Sequence, residues 1–222
     1  MTVIPDRVIR VQVGLPGVPG TQWSDLHIDF EVEKVSGSTP NKARVAIKNL
    51  SDWSIQWLEQ PSQVLHLMAG EGVASPLFYG DVARGGVKTE QSGPDVITTI
   101  EAASGRRVYR ETLFSASYPA GVTRSVVFAD ILAALQLPRG YVSPTLLERT
   151  YPSSIAFHCK ARAALTRIWS PDGAQWSIQD KAVQVLAQGD TVAGAGVVIS
   201  AATGMLGSPT RTDKGITVKH TL

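Results

Sequence analysis

The sequence predicts a mainly β protein with a small α+β insert, arranged as an antiparallel β-barrel or split barrel. Three observations carry that expectation. Apolar residues recur with period two through the first half, the spacing that buries one face of a strand. Twenty glycines and 13 prolines in 222 residues punctuate those runs with turns. From Thr123 the apolar period becomes that of a helix, and it changes back before the C-terminus.

Ile9, Val11 and Val13 alternate with Arg10 and Gln12, which predicts a first strand. Ile28-Asp29-Phe30-Glu31-Val32-Glu33 is the clearest case, with apolar residues facing one way and carboxylates the other. A turn cluster, Ser36-Gly37-Ser38-Thr39-Pro40-Asn41, leads into a strand through Ala43, Val45 and Ile47 with Arg44 and Lys48 opposite. As antiparallel neighbours these strands set Glu31 and Glu33 across from Arg44 or Lys48, each pair worth about 0.2–1 kcal/mol. Ser51 or Asp52 caps a short helix in which Trp53 and Trp57 share a face beside Leu58, and Pro61 stops it. Further strands are expected near residues 64–69, 77–82 and 96–102, separated by Gly/Ser/Pro-rich turns.

Beyond Thr123, a helix carries Val127, Phe128, Ile131, Leu132 and Leu135 on its buried side and ends before Pro138. A linker rich in Pro, Tyr and Ser follows. A second helix, near residues 160–170, buries Leu165, Ile168 and Trp169, and Pro171-Asp172-Gly173 turns the chain. Gln175-Trp176-Ser177-Ile178-Gln179 and Ala182-Val183-Gln184-Val185-Leu186 flank Asp180-Lys181 as a hairpin, with Trp176, Ile178, Val183 and Val185 on one face. The tail returns to strands at 197–200 and 216–222. The expected division is an N-terminal barrel-like domain over 1–111, an α/β insert over 112–188, and strands over 189–222 that lead into or complete a second barrel-like domain.

Composition excludes several functions. The 21 Lys and Arg are scattered and nearly balanced by 19 Asp and Glu, so no concentrated positive field is available for direct nucleic-acid binding. No apolar run reaches the length of a membrane span, and the N-terminus lacks the pattern of a signal peptide. The single cysteine, Cys159, makes no internal disulfide, and with four histidines it builds no Cys-rich zinc site. His27, His66 and His220 are isolated on strand-like segments.

Candidate chemistry resolves the same way. Cys159 beside His158 suggests a thiol nucleophile, but it reads better as a buried thiol at the start of an apolar helix. Glu31 and Glu33 have the residue type of a glycosidase pair, yet their regular alternation with core residues reads as a solvated face. Ala193-Gly194-Ala195-Gly196 lacks the third glycine of a dinucleotide loop, and no Gly-Lys-Ser/Thr phosphate loop occurs. Trp53, Trp57, Trp169 and Trp176 fall on amphipathic elements where core packing accounts for them, which leaves Trp23 as the best exposed aromatic. No catalytic residue, cofactor or metal is expected.

Asn41-Lys42-Ala43-Arg44-Val45-Ala46-Ile47-Lys48-Asn49-Leu50-Ser51, Leu77-Phe78-Tyr79-Gly80-Asp81-Val82 and Val96-Ile97-Thr98-Thr99-Ile100-Glu101-Ala102 stand in a telling order. The insert helices follow, then Thr203-Gly204-Met205-Leu206-Gly207-Ser208-Pro209-Thr210 and Gly215-Ile216-Thr217-Val218. In order and spacing these phrases resemble the hub proteins of bacteriophage tails and baseplates, which are related to the base domains of type VI secretion spikes. The resemblance implies a virion structural protein, made in the cytoplasm of the infected bacterium and resident in the tail. It implies a homotrimer whose barrel-like domains form a pseudo-sixfold ring between the tail tube or distal adaptor and a central spike or fibre. Familiar hubs are longer, so the chain is expected to be a short hub, a hub-like adaptor or one part of a split hub. Ile216, Val218, His220 and Leu222 then form a candidate assembly strand pairing with another chain. The rival expectation is a monomeric carbohydrate- or receptor-binding β module of a tail.

Overall fold

A computed structural model describes residues 7–35, 37–105, 111–192, 200, 205–212 and 215–220. The N-terminal part runs β1 (Arg7–Gly14), β2 (Thr21–Trp23), β3 (Ile28–Glu33), β4 (Lys42–Lys48), α1 (Asp52–Leu58), β5 (Val64–Glu71), β6 (Ser75–Ser92) and β7 (Asp95–Ala103). These strands form one seven-stranded sheet in the order β2-β1-β5-β6-β7-β4-β3. All its neighbours are antiparallel. The mainly β expectation is met, and among the described strands the sheet ends at β2 and β3 without a hydrogen-bonded seam, so it is open rather than a closed barrel.

The β3–β4 register follows from the alternation of their side chains. Glu31 lies opposite Arg44 and Glu33 opposite Lys42, while Lys48 pairs instead with Asp95 at 3.6 Å. Val45 and Ile47 are wholly buried while Arg44 is exposed, the pattern of a strand with one face on the core.

β6 corrects the expectation of a short strand at 77–82. It continues for 18 residues, pairing first with β5 and then with β7. The Ala83-Arg84-Gly85-Gly86 stretch is a bulge between Val82 and Val87 rather than a chain-reversing turn. Gly85 has φ +68°, and a Cβ on Gly86 would meet Glu101 O at 2.9 Å, so both positions demand glycine.

The next part runs β8 (Leu113–Tyr118), α2 (Arg124–Leu135), β9 (Arg139–Val142), α3 (Pro144–Leu147), β10 (Ile155–Lys160), α4 (Ala161–Trp169), a 3-10 turn (Ser170–Asp172), β11 (Gln175–Gln179) and β12 (Ala182–Leu186). β9, α3 and β10 occupy the segment expected to be a linker. β10 pairs with β8, and β11-β12-β9 form a second small sheet in which β9 runs parallel to β12. The hairpin turn at Asp180 and Lys181 has φ +47° and +71°, the paired left-handed conformation whose twist suits a two-residue loop. Gln136 closes α2 in a left-handed C-cap.

Two hydrophobic clusters result. One lies against the seven-stranded sheet and includes Val11, Val45, Ile47, Leu65, Leu67, Phe78 and Ile100. The other joins α2, α4 and the small sheets through Phe128, Ile131, Phe157, Leu165, Trp169 and Trp176. Each fully buried large side chain contributes about 1.5–3 kcal/mol of transfer free energy. β13 (Met205–Thr212) and β14 (Gly215–His220) make a separate two-stranded ribbon.

The junction between the two clusters is polar. The Asn41 amide nitrogen donates to Gln179 Oε1 at 2.7 Å and to the Ile178 carbonyl at 3.3 Å, while Asn41 Oδ1 accepts from Val35 N–H at 2.9 Å. Gln179 Nε2 returns a bond to the Val35 carbonyl at 2.8 Å. At the hairpin tip Lys34 pairs with Asp180 at 3.2 Å, and the Lys181 ammonium sits 3.7 Å from the Tyr79 ring centroid.

Candidate functional site

Strand edges are the feature of this fold with a direct consequence for assembly. β2 pairs with β1 alone and β3 with β4 alone, so the seven-stranded sheet presents two edges unpaired with any described strand. Such edges carry rows of free N–H and C=O groups that accept a further strand. Asp29, Glu31 and Glu33 stand on the β3 edge as exposed carboxylates.

The candidate assembly strand is largely β14. Ile216, Val218 and His220 are its alternate positions, and Leu222 lies outside the described residues. One edge of β14 is taken by β13, with Arg211 opposite Ile216, Thr210 opposite Thr217 and Met205 opposite His220. The strand is therefore half of a ribbon. Its other edge is unpaired among the described strands.

A cavity of about 730 Å³ opens beside β3 and β4, lined by Glu31, Glu33, Lys42, Arg44, Glu101 and Arg162 among others. Its charges alternate across the strands, Arg44 lying between Glu31 on β3 and Glu101 on β7. Glu31 and Glu33 are exposed, as a solvated face requires.

Cys159 is not at a helix start but near the end of β10, opposite Phe114 and only half-buried, while its neighbour His158 lies opposite Ser115. Consecutive strand residues point to opposite faces, which turns the imbidazole and thiol away from each other. His27 is exposed and contacts Asp29 at 3.2 Å. His66 meets the Tyr79 ring edge-on, and burial followed by the nearby Lys181 ammonium pushes its imidazole below the ordinary value of 6.5. No group of three or more potential metal-ligating side chains occurs among the described residues.

The tryptophans divide differently from the expectation. Trp169 and Trp176 are core residues and Trp23 is half-buried against the sheet cluster. Trp53 is 64% exposed and stacks on the half-buried Trp57, with ring centroids 6.2 Å apart and planes 3° apart. A seven-residue helix places one turn of its apolar face beyond the edge of the core, and Ser54 and Leu58 occupy the buried positions instead. The four-residue spacing signalled that the rings meet; nothing in it distinguished a covered from an exposed face.

No protein-family model and no curated protein sequence matches the chain. Solved structures do. The 43 kDa tail protein of prophage MuSo2 from Shewanella oneidensis superposes with a TM-score of 0.57 at 9% identity, over 81% of this chain and 53% of that one. The tail protein from Neisseria meningitidis MC58 superposes with a TM-score of 0.53 at 12% identity, over 81% and 50%. The chain shares the fold of these two tail proteins. The chain spans about half the length of each of these two tail proteins. At such identities the likeness is one of backbone architecture, which tolerates almost complete replacement of side chains when apolar alternation and turn positions are kept.

Proposed function

We propose that this chain is a structural component of a phage tail tip or baseplate, a hub or hub-like adaptor that joins the tail tube to a central spike or fibre. The observation that carries the reading is the tail-protein fold over 81% of the chain. The unpaired edges of β2, β3 and the β13–β14 ribbon support it, because an open sheet is completed by a neighbouring chain more readily than by water.

In this reading three copies associate, and the barrel-like regions over 1–111 and 189–222 alternate around the axis to present six similar units to a hexameric tube. No bond is made or broken; the mechanism is burial of apolar area and pairing of strand edges, with about 1,200–2,000 Å² needed for each stable contact. The protein is made in the cytoplasm of the infected bacterium and works in the virion tail.

Ile216, Val218, His220 and Leu222 are proposed to form the strand that pairs between subunits. Replacing Val218 with Asp places a carboxylate at that contact. The expected result is loss of the trimer in native mass measurements with unchanged far-UV circular dichroism. A trimer that survives, or a monomer that no longer folds, contradicts the assignment of this strand to assembly.

A further inference from the structure

The groove beside α1 is lined by Leu15, Trp53, Gln56, Trp57, Gln60 and Gln63, together with Pro61, and encloses about 400 Å³. Its chemistry is narrow. Two indole rings lie parallel, one of them 64% exposed, so the molecule holds a flat apolar face toward solvent that its own core does not use. Three carboxamides surround that face, and none of the lining side chains is charged. A neutral ligand loses nothing to unpaired charge on entering, whereas an anionic or cationic one finds no counter-ion in the lining.

Two polar atoms in this lining lack a partner. Gln63 is only 2% exposed; its Nε2 donates to the Trp57 carbonyl at 3.1 Å, but its Oε1 accepts no hydrogen bond. Trp57 Nε1 is likewise buried without an acceptor. The lining therefore holds one acceptor and one donor unsatisfied. Both atoms are shut off from solvent, so the polar groups a ligand reaches are the exposed carboxamides of Gln56 and Gln60, which offer donors and acceptors to hydroxyl groups. A second hollow of about 740 Å³ shares Gln60, Pro61 and Gln63 and is lined in addition by the charged Glu59 and Arg84.

We infer that this groove binds a neutral oligosaccharide, one pyranose ring laying its C–H face on the exposed Trp53 indole while its hydroxyls bond the carboxamides of Gln56 and Gln60. Aromatic faces take the apolar side of a sugar ring and leave its hydroxyl rim to amide groups, which is the division the groove presents. The site lies on the seven-stranded-sheet side of the molecule and is independent of the assembly reading: it serves a monomer or a trimer equally.

The test is titration of the full chain with chitotriose, maltotriose and cellotriose to about 10 mM, the upper end of weak glycan affinity, read by the indole N–H signals in two-dimensional NMR. At least one sugar is expected to shift the Trp53 and Trp57 signals and leave Trp169 and Trp176 unmoved. Trp53→Ala should weaken that binding roughly tenfold, a loss of one stacking face, and Trp53→Phe should restore most of it. Trp53 is exposed, so an unchanged thermal melt is expected for both variants; if Trp53→Ala fails to fold, Trp53→Phe and Gln60→Ala carry the test. No shift with any of the three sugars overturns the inference, as does undiminished binding by Trp53→Ala. Loss of association with another tail protein in Trp53→Ala, without any sugar response in the parent chain, also overturns it and makes the groove a protein docking site.

Discussion

Phe114, Phe128, Phe157, Trp169 and Trp176 fill the cluster between α2, α4 and the small sheets, whereas Val, Ile, Leu and Ala fill the cluster on the seven-stranded sheet, with Phe78 as the aromatic among its buried residues. The two regions also treat their surfaces differently. Leu15, Val18, Leu26, Trp53 and Val73 are exposed on the sheet side, against Leu113 and Val126 in the α/β region. Large rings bury much area per residue and let helices close over short strands. Aliphatic alternation makes a long thin layer whose ends stay open. The α/β region thus closes a ring-filled core under its helices, and the sheet region leaves more large apolar side chains exposed.

The strongest way to break that contrast is to hollow out the aromatic cluster. Trp169 is wholly buried, with Phe128 edge-on at 5.2 Å. Trp169→Ala should cost about 3–5 kcal/mol, and native-state hydrogen exchange should show protection falling in α2 and α4 while the β4–β7 ladder keeps its own. Equal loss in both regions would mean that they form one cooperative unit.

A charged staple gives the next effect. Asp172 accepts from the largely buried Arg124 and from the more exposed Arg149, and the Arg124 guanidinium also lies 6.0 Å from the ring centroids of Tyr151 and Trp169. Asp172→Asn leaves Arg124 without its counter-ion, and the expected loss is about 3 kcal/mol in denaturant midpoint experiments. Asn41→Ala probes the junction instead. It removes three hydrogen bonds and leaves the Ile178 carbonyl, Gln179 Oε1 and the Val35 N–H without this partner, for about 1–2 kcal/mol. Its signature should be separation of one unfolding transition into two.

The smallest effect is one of pH. His66 is held below 6.5 by burial and by Lys181, so the folded chain binds this proton less readily than the unfolded chain. Stability is therefore expected to be intact above pH 6.5 and to decline as pH falls from 6.5 toward the lower folded value. Melting curves between about pH 5 and 8 should show this slope, reduced by Lys181→Met and removed from this site by His66→Gln.

The elements legible in the sequence are those whose side chains face only two environments. β3, β4 and the β11–β12 hairpin alternate cleanly, and their registers follow from that alternation, down to Trp176 opposite Val185 and Ile178 opposite Val183. α2 and α4 were legible from their apolar spacing, and they fall at Arg124–Leu135 and Ala161–Trp169. β6 was not, because Gly85-Gly86 carries the same local signal whether it reverses a chain or bulges a strand. β10 was missed because Ile155-Ala156-Phe157 follows directly on a Pro-, Tyr- and Ser-rich stretch that reads as a linker. Exposure of Trp53 depends on where the helix sits against the sheet, a tertiary fact with no local trace. The candidate assembly strand was legible as a strand but not as half of a ribbon, since its partner β13 contains Gly207 and Pro209, residues that argue against regular pairing.

The central claim, that this chain assembles into a symmetric tail component, is tested most directly by the native mass of the purified protein across a concentration series. The account predicts a species of three chains that becomes dominant as concentration rises. A mass of one chain at every concentration would contradict it.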